Sequence, residues 1–267
     1  MGAGFPSGLE ARLHAMRRVR AVLALDYDGT LAPFQVNRMA AVPDRTVLPP
    51  LQAIVCDRET RLVIVSGRPV AELEQLLPLE PLPELWGVHG WEQRLPDGSR
   101  RDHALPPETQ AVLAQACTDV VDAGWRDQVE HKGATVALHW RGLPPDAQRA
   151  MEARVRDAWA RLARAHALEL RPFNGGLELR HPGRDKGAVI RDLLASERAG
   201  TPLAYVGDDD TDEDAFRALP PEGLGVRVAS DDAPSAAAFR IRPGAVSVFL
   251  EAWHRAGVAA RGPEAGA

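Results

Sequence analysis

The chain has 267 residues, 45 % of them hydrophobic, and a formal net charge of −5, enough for one large or two small domains and with no basic excess to suggest a nucleic-acid partner. No apolar run approaches the roughly 18 residues of a membrane span, and the run after Arg17, Arg18 and Arg20, Val22–Leu25, is too short for a signal peptide. The two cysteines, Cys56 and Cys117, are far apart and lack metal spacing, so a reduced, cytoplasmic setting is expected rather than a disulfide framework.

Taken in chain order, apolar runs alternate with helical patterns. "AVLAL" (21–25) precedes Asp26, and "RLVIV" (61–65) precedes Ser66. A helix is expected from about Val70 to Leu77, with Pro69 suited to its first turn. "ELWGV" (84–88) precedes His89–Gly90, "PLAYV" (202–206) precedes Gly207–Asp208, and "GLGVRV" (223–228) is a further strand. Short continuous apolar runs separated by helices predict buried parallel strands, hence a Rossmann-like α/β core. In such sheets the ligand crevice lies at the carboxyl ends of the strands. Asp26, Ser66, His89 and Asp208 should therefore converge although they are distant in sequence.

The middle of the chain has another rhythm. "GATVALHWR" (133–141) alternates, with Val136, Leu138 and Trp140 on one side and Thr135, Ala137, His139 and Arg141 on the other. A helix with Met151, Val155, Trp159 and Leu162 at helical spacing is expected from Pro145 to Ala167. "LELRPFNGGLELRHP" (168–182) reads as two strands joined around Asn174–Gly175–Gly176. The expectation is an inserted α+β cap domain over 97–176. The core then comprises 1–96 and 177–267, with 259–267 as a disordered tail.

Of the 32 basic residues, only Lys132 and Lys186 are lysines and the other 30 are arginines. In so arginine-rich a chain, the two lysines are either retained by chance or mark places where a compact ammonium is needed rather than a planar fork. "LALDYDGTLAP" sets Asp26 and Asp28 two residues apart straight after a strand, with Gly29 permitting a sharp reversal. Two such carboxylates need a cation or a shared proton. One can serve as nucleophile and the other as general acid and base, unless the pair is only an Asx-turn. "YVGDDDTDEDAF" (205–216) then places six acids in the seven positions 208–214 with no basic residue among them. Either they lie on a solvated helix face or some of them hold a cation.

Four stretches, "DYDGT" (26–30), "VSGR" (65–68), "GRDKG" (183–187) and "GDDDTDE" (207–213), follow in an order that resembles the haloacid dehalogenase superfamily of phosphohydrolases. The resemblance implies that Asp26 is the nucleophile and a Mg²⁺ ligand. Asp28 would be the acid/base and lend the metal its backbone carbonyl. Ser66, with the neighbouring Gly67 and Arg68, would hold the phosphate, although Ser66 could equally cap the helix after Pro69. Lys186 would neutralise the phosphate and orient Asp26. Asp208 would bind Mg²⁺ directly and Asp209 at one remove or through water, while Asp210 is solvated. Thr211 would cap a helix whose first turn holds Asp212, Glu213 and Asp214, with Asp212 still able to face the site.

"GVHGWE" (87–92), "EHKGATVALHWR" (130–141), "LELRHPGRDKG" (177–187) and "GDDDTDEDAF" (207–216) look more narrowly like the trehalose-6-phosphate phosphatase family. That resemblance implies hydrolysis of trehalose 6-phosphate to trehalose and phosphate. It adds His89 and Gly90 to the substrate site, and Glu130, Lys132, His139, Arg141 and Glu178 as cap residues that read sugar hydroxyls. His139 could instead be a structural histidine, and Trp125, Trp140 and Trp159 read as cap core. The expected partner is a small sugar phosphate, with no membrane, and the chain is expected as a monomer that could associate with a trehalose-phosphate synthase. Alternatives are a phosphatase for sucrose phosphate or mannosyl-phosphoglycerate, and a non-catalytic sugar-phosphate sensor. A receiver domain, which also gathers acids and a lysine around Mg²⁺, is disfavoured by the inserted module.

Overall fold

The computed structural model describes residues 5–261 except 18, 58 and 174. The chain divides into two compact units, Met1–Arg101 with Asp185–Ala267, and Asp102–Arg184.

The first unit is built on an eight-stranded sheet. Its parallel strands are β1 (Ala21–Asp26), β2 (Thr60–Val65), β3 (Glu84–Gly87), β10 (Leu203–Gly207), β11 (Leu224–Val228) and β12 (Phe239–Ile241). The order across the sheet is β12-β11-β10-β1-β2-β3, followed by β4 (Glu92–Arg94), antiparallel to β3, and then β5 (Arg100–Asp102). The parallel strands thus run outward in both directions from β1 and β10, and the order reverses between those two strands. That switch point opens a crevice at the carboxyl ends, where Asp26 and Asp208 emerge.

Alternation along each buried strand feeds two apolar layers. Leu23 and Leu25 of β1 pack with Leu13 of α1 (Leu9–Met16), Leu51 and Ile54 of α2 (Leu48–Cys56), Leu73 of α3 (Val70–Leu76) and Phe249 of α8 (Val246–Arg261). Val22 and Ala24 face the other way, toward Val189, Ile190 and Leu193 of α6 (Lys186–Ser196) and Phe216 of α7 (Asp212–Ala218). The helix α8 carries the chain to Arg261, so the expected tail at 259–267 begins within a helix, and residues 262–267 lie outside the described residues.

At the far end of the first layer, Arg17 is buried after α1. It donates to Asp57 Oδ2 at 2.7 Å and to the Glu59 carbonyl at 3.0 Å, and its guanidinium lies 5.1 Å from the Trp253 ring of α8. Thr60 donates to the same Asp57 oxygen and accepts from Trp253 Nε1. The charges are matched by directional partners, which is what lets an ion pair persist away from water.

The second unit is a four-stranded antiparallel sheet in the order β6 (Val129–His131), β7 (Thr135–His139), β9 (Gly176–Arg180), β8 (Glu169–Phe173). Val136, Leu138, Leu177 and Leu179 form its apolar face, packed with Leu113 and Val120 of α4 (Pro107–Asp122) and with Met151, Val155 and Trp159 of α5 (Pro145–Ala165). The opposite face is polar. Trp159 is in this core, and Trp125 and Trp140 pack against it. The unit's edges differ from those expected at 97 and 176. β9 pairs with β7 and β8 over its whole length, so Leu177–Arg180 belong with the second unit and the return to the first falls at Asp185. Strand pairing outweighs the turn signal at 174–176.

Replacing Asp57 with Ala leaves the Arg17 charge buried beside Trp253. Urea denaturation should register a loss of about 3–5 kcal/mol, the usual cost of breaking a buried pair by removing one partner. A loss below ~1 kcal/mol would mean that the pair contributes no more than a surface contact.

Candidate active site

β1 ends at Asp26, and the next residues reverse direction. Gly29 has φ +88°, and a Cβ there would overlap the Asp208 carboxylate. Glycine at 29 therefore allows two loops from opposite sides of the switch point to touch. Thr30 Oγ1 reaches Asp208 Oδ1 at 3.5 Å. Asp185 takes the N-cap of α6 by accepting from Ala188 N at 2.7 Å, which sets Lys186 in the first turn.

Lys186 Nζ donates to Asp26 Oδ1 at 2.6 Å and to Asp212 Oδ1 at 2.6 Å, and all three side chains are buried. Asp212 Oδ1 also accepts from Tyr205 OH at 2.5 Å, and its Oδ2 accepts the backbone amides of Asp208 and Asp209 at 2.9 and 2.8 Å. Asp212 is thus saturated by four donors. Asp26 Oδ2 is buried and has no hydrogen-bond partner.

Asp26, Asp208 and Asp212 each place one carboxylate oxygen within 4.8 Å of the others. One ammonium faces three carboxylates. Burial raises Asp26 well above the ordinary carboxylate range; Lys186 opposes that rise, while Asp212 and Asp208 add to it. Burial, then Asp212, pushes Asp208 up to about 7. Burial works against the Lys186 charge, but Asp212 and Asp26 outweigh it and hold the ammonium protonated. The all-oxygen donor set, the orphaned Asp26 oxygen and the uncompensated negative charge fit a hard divalent cation at Asp26 and Asp208.

The expected ligand set changes at Asp212. Asp209 stands apart from the cluster, and its Oδ1 accepts from the amide of Asp210. Asp212, expected only to face the site, is instead the partner of Lys186. Thr211 holds the N-cap position of α7 but makes no side-chain cap, because Asp212 has already turned back over the loop amides.

The second motif is also rearranged. Ser66 Oγ accepts from Arg68 N at 3.1 Å and does not cap α3; the amide of Val70 goes to Glu92 Oε2 at 2.7 Å. Arg68, expected to hold phosphate, forms a fork on Asp28, with Nε to Oδ2 and Nη2 to Oδ1 both at 2.7 Å. It also donates to the Arg38 carbonyl at 2.9 Å and lies 5.5 Å from the Tyr27 ring. Asp28 therefore points to Arg68 and is not part of the acidic cluster. His89, at φ 54°, packs its ring on Gly67, where an added Cβ would sit 2.7 Å from Nε2. The His89 amide donates to the Ser66 carbonyl, and Gly90 follows with φ 98°.

The remaining expected residues lie on the second unit. Across its sheet Glu130, Ala137 and Glu178 are in register, so the two glutamates flank a small residue on the polar face. Glu130 Oε2 is 3.3 Å from Lys132 Nζ and 3.3 Å from His139 Nε2. His139 meets Phe173 edge-on at 5.2 Å, and Arg141 lies against Gly175. Two residues of the first unit escape sequence reasoning. Tyr205 is the one polar side chain in "PLAYV". Tyr27, between the two motif aspartates, donates to the Ala41 carbonyl at 2.8 Å.

The raised Asp208 gives a sign to the pH dependence of metal-free protein. Its folded value of about 7 exceeds the roughly 3.9 of an unfolded Asp, so the folded state binds the extra proton between those limits. Stability should therefore fall, relative to Asp208→Asn, as pH rises from about 4 to 7, and Mg²⁺ should restore it at pH 7.5 in the wild type alone. Thermal melts of both proteins with EDTA and with Mg²⁺ check this; parallel curves would contradict it.

Comparison with known proteins narrows the chemistry. The trehalose-phosphatase family model matches residues 24–242. The trehalose-phosphate phosphatase of Mycobacterium marinum is 33 % identical over 261 residues, 91 % of this chain and 64 % of that protein, so the chain spans less than two-thirds of the relative's length. The C-terminal domain of Candida albicans trehalose-6-phosphate phosphatase superposes with a TM-score of 0.80 at 20 % identity, covering 96 % of this chain and 99 % of that one. The C-terminal domain of the Candida albicans trehalose synthase regulatory protein shares the fold at a TM-score of 0.72 and 12 % identity, over 95 % of this chain and all of the other. With the family model covering most of its length, and with Asp26, Lys186 and Asp208 from three of the motif stretches gathered in one acidic site, the chain belongs to the trehalose-phosphatase family.

Proposed function

We propose that the protein hydrolyses trehalose 6-phosphate to trehalose and phosphate, with Mg²⁺ held by the carboxylates of Asp26 and Asp208 and by the main-chain carbonyl of Asp28. The observation that carries this reading is Asp26 itself. One of its oxygens is fixed by Lys186 while the other is buried and unpartnered beside Asp208. A carboxylate aimed by a cation, with its second oxygen uncommitted, suits a nucleophile.

In the first step Asp26 attacks phosphorus, the bond from phosphorus to the sugar oxygen breaks, and Asp28 gives that oxygen its proton. Asp28 then takes a proton from water, whose oxygen attacks the aspartyl-phosphate and frees Asp26. Because the Arg68 fork occupies both Asp28 oxygens, it has to open before Asp28 can hold the proton it donates. Ser66, Gly67 and Lys186 would bind the phosphate, with His89 and Gly90 shaping the loop beside them. When bound, Mg²⁺ would neutralise charge between the anionic nucleophile and the phosphoryl group. On the second unit, Glu130, Lys132, His139, Arg141 and Glu178 would bind sugar hydroxyls, since paired carboxylates and an ammonium supply acceptors and donors for them.

A second reading has its own observation: the fold is shared with a regulatory protein's domain. A binding-only protein has no need of a buried nucleophile aimed by a lysine, so Asp26 and Lys186 favour the enzyme.

Phosphate release should be seen with trehalose 6-phosphate above sucrose phosphate and mannosyl-phosphoglycerate, and EDTA should stop it. Asp26→Asn should lower turnover by at least about a thousandfold with unchanged melting, and full activity in that variant would rule out the mechanism. Glu130→Ala should raise KM roughly tenfold with kcat nearly kept, the mark of lost binding rather than lost chemistry.

A further inference from the structure

We propose that Tyr205 is a positioning residue for the nucleophile, acting through Asp212 and Lys186. The proposal rests on the phosphatase reading above. Tyr205 lies on β10, three residues before Asp208, in a run that is otherwise aliphatic. Its ring is fully buried in the layer that contains Val22, Val63, Val189 and Phe216. It meets Phe216 edge-on, with centroids 5.6 Å apart and planes at 75°. An aliphatic side chain would fill this layer with no polar atom to satisfy, so the hydroxyl needs a reason to be there.

The reason is Asp212 Oδ1. That oxygen accepts from Tyr205 OH at 2.5 Å and from Lys186 Nζ at 2.6 Å, and the same ammonium reaches Asp26 Oδ1 at 2.6 Å. Tyrosine, aspartate, lysine and nucleophile form one chain of three hydrogen bonds. Two donors on one oxygen divide its charge between them, so the phenol weakens the pull of Asp212 on the ammonium. Lys186 then remains shared between Asp212 and Asp26. Without the phenol, Asp212 would draw the ammonium toward itself, and Asp26 would lose the partner that aims it. Burial, then the charges of Asp212 and Asp26, raises the phenol above its ordinary value, so it stays a donor. The edge-on contact with Phe216 fixes the direction of the hydroxyl. Because Oδ2 of Asp212 is anchored by two backbone amides, the carboxylate cannot swing away to find another donor.

The variant is Tyr205→Phe, which keeps the ring and removes the donor. Steady-state hydrolysis of trehalose 6-phosphate at saturating Mg²⁺ should show kcat reduced about tenfold and KM within about twofold, since only an interaction that strengthens toward the transition state is lost. In an Asp212→Asn background the same substitution should add no further loss, because the path runs through Asp212. A second readout needs no turnover. The chain has only Lys132 and Lys186, so protein labelled with ¹⁵N-lysine can give at most two side-chain ammonium signals, assigned with Lys132→Arg. The Lys186 signal should move in Tyr205→Phe while the melting curve stays cooperative. A folded Tyr205→Phe that keeps wild-type kcat, or whose Lys186 signal does not move, overturns the proposal. Wild type that releases no phosphate from any sugar phosphate overturns the phosphatase reading instead, and the lysine signal then decides the Tyr205 question alone. If Tyr205→Phe does not fold, Phe216→Leu, which keeps the hydroxyl but removes the ring that aims it, should move the same signal by a smaller amount; no movement there overturns the proposal.

Discussion

Lys186 is the charge on which the ligand end of the first unit depends. It is buried between Asp26 and Asp212, with Asp208 close by. Three carboxylates gathered at one sheet switch point would repel one another apart without it. The choice of lysine in a chain with 30 arginines follows from geometry. An ammonium is a compact point donor that fits between two closely spaced buried carboxylates, whereas a guanidinium is a larger planar fork. The same site shows the other case next door, where Arg68 closes its fork on both oxygens of Asp28. One lysine therefore ties the end of β1 to the start of α7, and one arginine holds both oxygens of a single carboxylate.

Those two cations divide the labour of the motif aspartates. Asp26 is held at one oxygen, and its second oxygen has no hydrogen-bond partner. Asp28 is held at both. Arg68 also grips the Arg38 carbonyl, and Tyr27 grips the Ala41 carbonyl, so the segment that follows the turn at Gly29 is tied back at two points. The two aspartates differ in commitment although they are two residues apart and identical in kind. Environment rather than residue type assigns the roles.

Much of this is legible in the sequence. Continuous apolar runs ending in Asp26, Ser66 and Asp208 identify parallel strands and their ligand ends, because a strand buried on both faces has no polar positions to spare. The scarcity of lysine draws attention to Lys132 and Lys186, and the "GRDKG" stretch then singles out Lys186. Asp212 is harder to read. An acid in the first turn of a helix already has a sufficient reason in the helix dipole, so its tertiary role is masked. Arg68 beside Ser66 looks like a phosphate ligand because local sequence cannot show that its side chain finds Asp28, 40 positions earlier. The edge of the second unit is misplaced at 176 because Gly175–Gly176 signals a turn, while the ladder joining Gly176–Arg180 to β7 is a long-range fact. Tyr205 is hidden for a related reason: within "PLAYV" its ring serves the apolar run, and only the fold reveals where the hydroxyl goes.

The second unit occupies the chain between β5 and α6 and interrupts none of the parallel strands. Its polar sheet face carries Glu130 and Glu178, with Lys132 just beyond β6, while Asp26, Asp208, Asp212 and Lys186 sit wholly in the first unit. Substitutions within 102–184 therefore leave in place every side chain hydrogen-bonded through Lys186 and Asp212. On the proposed reading, substrate choice and reaction are thus encoded in separate stretches of chain and can change independently.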